Sequence, residues 1–203
     1  MKRILLLLSG LLLAGTAPAQ HITNYNTKIA TIYHGKPRTL IEIAEGQGVC
    51  ITEFDTAGRI VSEKLDKYDY TFNYRWTESK IVLTVCDDAG NKLNTLEMDY
   101  AEEPGRLFID GGKMGTIEFL FNDNGTVDRI ISSKNGQQGG LRALYEPDDP
   151  YRCTTFEIMV NGKVAGKATN EYTEEDEAGN PVECIQTANG TACAIHRKIT
   201  YYE

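Results

Sequence analysis

Four times in this chain an Asp or Asn, two further residues and then a Gly interrupt β-rich, apolar sequence. The four runs are Phe54-Asp55-Thr56-Ala57-Gly58, Cys86-Asp87-Asp88-Ala89-Gly90, Phe121-Asn122-Asp123-Asn124-Gly125 and Glu175-Asp176-Glu177-Ala178-Gly179. An Asp or Asn at the first position of a type I turn accepts a hydrogen bond from the backbone two residues on, and Gly at the fourth takes the positive φ that other residues resist. An apolar residue follows each Gly within three positions (Ile60, Leu93, Val127, Val182), where a returning strand would begin. The chain is therefore built by repeating a β-hairpin.

The spaces between these turns fill with further hairpins. Pro37–Ala44, Val49–Phe54, Arg59–Leu65, Lys80–Cys86, Lys92–Tyr100, Thr116–Phe121 and Thr126–Ser132 all read as strands, with an earlier one over Lys28–His34. Asn135-Gly136, Asn161-Gly162 and Asn189-Gly190 are strong two-residue hairpin signals. Gly111-Gly112 and Gly139-Gly140 read as loops or bulges, and Glu146-Pro147-Asp148-Asp149-Pro150 as a rigid polar connection. No apolar 3.6-residue pattern persists for three turns outside the N-terminal segment. Ile117, Phe119 and Phe121 fall on one face and Glu118 on the other, as in a sheet with one dry side. Ile81–Cys86 is apolar on both faces and reads as a central, doubly covered strand. The expected fold is all-β: an antiparallel meander of consecutive hairpins, as a curled single sheet or a partly open barrel.

Lys2-Arg3, the apolar run Ile4–Leu13 and then Ala17-Pro18-Ala19 have the order of a secretory signal peptide. Cleavage is expected after Ala19, leaving residues 20–203 as one β-meander domain. Thr16 stands where a lipoprotein box needs Cys, so no lipid anchor is expected, and the leader is too short to span a bilayer as a mature helix. The chain has 29 acidic residues against 21 basic, and losing Lys2 and Arg3 takes its formal charge from −8 to −10. That sign repels phosphate backbones and anionic headgroups, so neither nucleic acid nor a membrane is an expected partner.

Of the five cysteines, Cys184 and Cys193 flank the Thr187-Ala188-Asn189-Gly190 turn and are the candidate disulfide of an exported protein. A Cys193 nucleophile with His196 as base is disfavoured, because residues three apart on a strand face opposite ways. Tyr68, Tyr70, Phe72, Tyr74 and Trp76 alternate along one segment and share a face, offering either a ligand platform for sugar rings or extended peptides or the filling of a curled sheet. The acidic run Glu174–Glu177 lacks calcium-loop spacing, and His21, His34 and His196 lack metal-pair spacing. No cofactor and no catalytic residue is expected.

The run Tyr172–Pro181, with its tyrosine, acidic turn and Gly-Asn pair, and the closing basic-then-aromatic strand Ala194–Tyr202 resemble the YD-repeat (Rhs-type) family and related hairpin repeat proteins exported by Bacteroidetes-type bacteria. That resemblance implies a surface, scaffold or toxin-associated structural role without catalytic residues. The expectation from the whole sequence is an exported, non-catalytic binding or scaffold module of the periplasm or cell surface, with a protein or glycan partner. Two alternatives stand beside it: a small extracytoplasmic hydrolase using paired carboxylates, and an inhibitor or immunity protein for a secreted toxin.

Overall fold

In the computed structural model of the chain, which describes residues 33–203 apart from 47, 67 and 68 and the side chain of Pro150, each expected turn reverses the backbone. The expected leader, His21 and most of the Lys28–His34 strand lie outside these residues. Fourteen strands follow one another: β1 Pro37–Ala44, β2 Gly48–Phe54, β3 Ile60–Leu65, β4 Tyr70–Trp76, β5 Lys80–Asp87, β6 Lys92–Glu103 and β7 Arg106–Asp110, then β8 Thr116–Phe121, β9 Val127–Lys134, β10 Gln137–Glu146, β11 Asp149–Val160, β12 Lys163–Glu175, β13 Pro181–Ala188 and β14 Thr191–Tyr201. Every strand pairs antiparallel with its sequence neighbours, and β1 also pairs with β14, so the sheet closes into a barrel.

The all-β antiparallel meander of consecutive hairpins is observed, and of the two expected shapes, curled sheet or partly open barrel, the strands take the barrel and close it fully; the repeated turn contributes bends that favour closure. In all four Asx-x-x-Gly runs the Gly N–H donates to the Asx carbonyl at 2.9–3.0 Å, and the Asx N–H donates to the carbonyl of the residue after Gly. Beside each turn the register then slips by one. Glu53 faces Ser62 but Phe54 faces Ile60; Val85 faces Asn94 but Cys86 faces Lys92. Leu120 faces Arg129 but Phe121 faces Val127, and Glu174 faces Glu183 but Glu175 faces Pro181. The residue left over each time, Val61, Leu93, Asp128 or Val182, lies three positions after the Gly. Such bulges bend a strand and tighten its right-handed twist, which curls a sheet far enough to meet its own edge.

The turns also sort by end. Antiparallel order places all three Asn-Gly turns at the end opposite the start of β1, whereas three of the four Asx-x-x-Gly turns lie at the end where β1 begins and β14 finishes. Gly139 and Gly140, expected in a loop or bulge, lie inside β10. A Cβ on Gly140 would meet the Ile130 carbonyl oxygen at 2.0 Å, so the neighbouring strand requires glycine there.

Alternate side chains fill the interior. Ile81, Leu83 and Val85 of β5 are buried with Phe72 and Met98, while Val82, Thr84 and Cys86 on the other face are only half-buried. β5 is thus covered on one side, because a closed tube has a single inside. The outward face carries charged side chains such as Lys64, Glu97 and Arg129, and single exposed apolar side chains, Ile43 and Ile185 among them.

Candidate functional site: the aromatic rim and the polar wall

The aromatic strand faces inward. Phe72 is buried, and Tyr70, Tyr74 and Trp76 pack half-buried against the same cluster; Tyr68 lies outside the described residues. The Tyr74 hydroxyl donates to Glu63 Oε2 at 3.2 Å, and Trp76 Nε1 donates to the Ile60 carbonyl at 2.7 Å. Trp76 closes β4 at the end where β1 begins. There it meets Tyr100 edge to face at 5.3 Å between centroids, and the Arg59 guanidinium stands 5.9 Å from the indole centroid. Tyr100 in turn donates to the Thr77 carbonyl at 2.7 Å. The polar ends of both rings are therefore anchored in the protein, and their remaining partly exposed surface is aromatic carbon.

A second set of groups sits on the wall made by β1 and β11–β14. Glu42 and Arg197 are Cα partners across the β1–β14 seam, 4% and 9% exposed, with Arg197 Nε donating to Glu42 Oε2 at 3.0 Å. Burial alone disfavours the charged guanidinium, but neighbouring Tyr33 and Glu42 outweigh it and raise its pKa. Further along this wall, Tyr172 Oη and Asn170 Nδ2 both donate to the Cys153 carbonyl, at 2.7 and 3.0 Å, and Gln186 Nε2 donates to Asn170 Oδ1 at 2.9 Å. Each polar group has a partner, as burial demands.

Asn180 fastens the end of the barrel. Its Oδ1 accepts from the His34 N–H at 2.7 Å, and its Nδ2 donates to the His34 carbonyl at 3.0 Å and to the Tyr201 hydroxyl at 2.7 Å. Tyr201 in turn donates to Asp176 of the fourth marked turn.

The expected Cys184–Cys193 disulfide is not formed, and none of the five cysteines is held in a disulfide. Cys184 faces Ile195 and Cys193 faces Gln186, so the two point inward as diagonal neighbours. Diagonal positions on a sheet lie about 7–8 Å apart, beyond what a disulfide bridges without backbone movement. Burial pushes the Cys153 thiol up to about 12 and raises that of Cys184, leaving both poor nucleophiles at neutral pH. His196 faces outward, with Nδ1 2.9 Å from Glu183 Oε1, so it forms no dyad with Cys193. Among the described residues no three His, Cys, Asp or Glu side chains cluster to hold a metal ion. Glu175 of the acidic run pairs with Arg152.

Sequence reasoning passed over Glu42, Arg197 and Asn180. A signal existed for the pair, since Glu42 alternates with Leu40 and Ala44, and Arg197 with Ile195 and Ile199, each a lone charge on a dry face. Nothing in either strand, however, tells one charge that the other lies 155 residues away.

No family model and no curated protein matches this chain. Among solved structures, it is similar to a porin-like protein from Bacteroides vulgatus, at 11% identity and TM-score 0.43, over 83% of this chain and 99% of that one. A porin-like protein from Bacteroides uniformis overlaps at 12% identity and TM-score 0.43, over 80% and 96%. A LolA superfamily protein from Nitrosomonas europaea overlaps at 8% identity and TM-score 0.25, over 93% and 95%.

Two further expectations are corrected here. The YD-repeat resemblance fails, because a strand order that returns to its own first strand is a closed barrel and not an open hairpin-repeat meander. The exclusion of a membrane span also fails. It rested on charge and on the shortness of the apolar leader, whereas a closed barrel pairs every strand edge and is the non-helical architecture able to cross a bilayer. That no helix among the described residues is long and apolar enough to cross leaves crossing by strands untouched.

Proposed function

We propose that this barrel is an exported, non-catalytic binding module working outside the cytoplasm after loss of residues 1–19, and that its ligand, a glycan or an extended peptide, contacts the aromatic rim at Tyr74, Trp76 and Tyr100. The observation that carries this reading is the state of Trp76. Its indole nitrogen is tied to Ile60, its ring is braced by Tyr100, and Arg59 stands over it at the barrel end, so a flat, rigid, partly exposed surface is held in place. Rings fixed this way stack on sugar faces or peptide planes at small entropic cost. The interior carboxylates Glu42 and Glu63 engage Arg197 and Tyr74, an arrangement suited to holding walls together rather than to activating water.

Trp76 is the sole tryptophan, so its emission reports on this rim directly. Titration with a panel of oligosaccharides and unstructured peptides is expected to give a saturable spectral change with at least one class, and Tyr100→Ala is expected to weaken it. A flat response to every member overturns the reading, and release of cleaved product from any member replaces it with the paired-carboxylate hydrolase. Edman sequencing of the exported protein is expected to begin at Gln20, and a terminus at Met1 overturns the assignment of residues 1–19.

A further inference from the structure

The chain contains four Asn-Gly steps, at Asn124, Asn135, Asn161 and Asn189, and all four asparagines are exposed. Nothing lies within 4 Å of where a Cβ would stand on any of the following glycines, so water reaches each backbone. In chemical terms the four steps are identical. What separates them is how the asparagine side chain is held.

Two are tied down. Asn124 Oδ1 accepts from the Thr126 N–H at 3.1 Å and from its hydroxyl at 2.7 Å, and the Gly125 N–H donates to the Asn122 carbonyl at 2.9 Å. Asn161 Oδ1 accepts from the Gln138 N–H at 3.1 Å, and its own N–H donates to the Gln138 carbonyl at 2.8 Å, stitching its turn to β10. For Asn135 and Asn189, which sit at φ 52° and 51° in the β9–β10 and β13–β14 turns, no side-chain hydrogen bond is found among the described residues.

We infer that Asn135 and Asn189 are sites of spontaneous deamidation in the folded protein, and that Asn124 and Asn161 are protected. The backbone nitrogen of Gly136 or Gly190, having given its proton to solvent, attacks the asparagine Cγ. The N–Cγ bond forms, the Cγ–Nδ2 bond breaks, and ammonia leaves with a proton from water. The resulting succinimide then adds one water at either carbonyl, giving aspartate or isoaspartate. No oxidant or cofactor takes part. Attack requires the side chain to swing Cγ onto the following nitrogen, which the bonds at Asn124 and Asn161 resist. Glycine permits the reaction at all four steps, because it leaves the attacking nitrogen unshielded.

The two reactive turns lie at the same end of the barrel, the end opposite the start of β1. Each conversion adds a negative charge there to a chain already at −8. Where isoaspartate forms, an extra backbone atom enters a two-residue turn that tolerates none.

The test is peptide mapping of the intact full-length protein after timed incubation in mildly alkaline buffer, alongside a urea-unfolded sample. In the folded protein, aspartate and isoaspartate are expected to accumulate several-fold faster at 135 and 189 than at 124 and 161, with ammonia released in step. In the unfolded sample the four rates should converge, which isolates the fold as the cause. Thr126→Val, which keeps the buried volume but removes the hydroxyl bond, should raise the rate at 124 in folded protein. Equal rates at all four sites in the folded state overturn the inference, as does faster loss at 124 or 161.

Discussion

The two sides of the barrel interior differ in how they mix bulk, small side chains and buried charge. The wall from β4 to β9 is lined with bulk, including Phe72, Leu83, Met98, Phe119 and Ile130. The wall from β10 through β14 to β1 mixes bulky side chains such as Phe156, Ile195 and Leu40 with small ones, among them Ala143, Ala168, Ala188, Ala44 and Cys184, and it holds the buried Glu42, Arg197 and Gln186 beside half-buried Asn170. The buried clusters stay within neighbouring strands on each side, Phe72, Leu83 and Met98 on one and Ala143, Phe156 and Ala168 on the other. Short residues also leave main-chain carbonyls within reach, as at Cys153, whose carbonyl receives both Tyr172 and Asn170.

Substitutions should break this contrast unevenly. Arg197→Met leaves the Glu42 carboxylate buried without its partner and is expected to cost about 3–5 kcal/mol in urea unfolding. Adding Glu42→Leu should recover most of that loss, since replacing both charges by apolar groups removes the stranded one. On the bulky wall, Phe119→Ala opens a cavity and should cost a similar amount, about 3–5 kcal/mol, with no second-site recovery of this kind. If Arg197→Met unfolds no earlier than the parent, the seam pair is not a buried one.

Overpacking gives a smaller effect and sharpens the comparison. Ala168 has no exposed surface, so Ala168→Leu should cost about 1–3 kcal/mol through forced rotamers. The same enlargement at outward Ala101 should leave the thermal midpoint unchanged.

The smallest expected effect concerns pH and the turns rather than the walls. At Asp55 slight burial works against ionisation, but the Arg59 backbone N–H and guanidinium outweigh it and hold the carboxyl below its ordinary 3.8. The Asn91 side chain and backbone do the same for Asp87. A carboxyl lowered in the folded state adds stability above its unfolded pKa and loses it as pH falls through the folded value. The urea midpoint should therefore drop between about pH 5 and pH 2. The double variant Asp55→Asn, Asp87→Asn should flatten that drop slightly, and an unchanged slope would remove these turns as contributors.

Strand positions were legible because local chemistry sets them. Pro37–Ala44 and Thr116–Phe121 emerge with the expected bounds, and all four Asx-x-x-Gly runs form the same turn. The inward set of β4 was also legible, since alternation alone puts Tyr70, Phe72, Tyr74 and Trp76 on one face. That β5 would be covered on one side only was not, because Ile81–Cys86 is apolar throughout and one strand carries no record of which face a closed sheet turns inward. The sulfur pair failed on register: the Asn189-Gly190 turn placed Cys184 and Cys193 on one face, but a two-residue offset in pairing separates a bridge from a diagonal.

By itself, the order of residues determined the hairpins, their turn types and the alternation of each strand, all of which depend on residues a few positions apart. Only the tertiary structure decided that β1 finds β14, that Glu42 meets Arg197 and that Asn180 holds His34. Those contacts join positions some 150 residues distant, and they form where a sheet twisted by bulges beside the marked turns and elsewhere brings its two ends together.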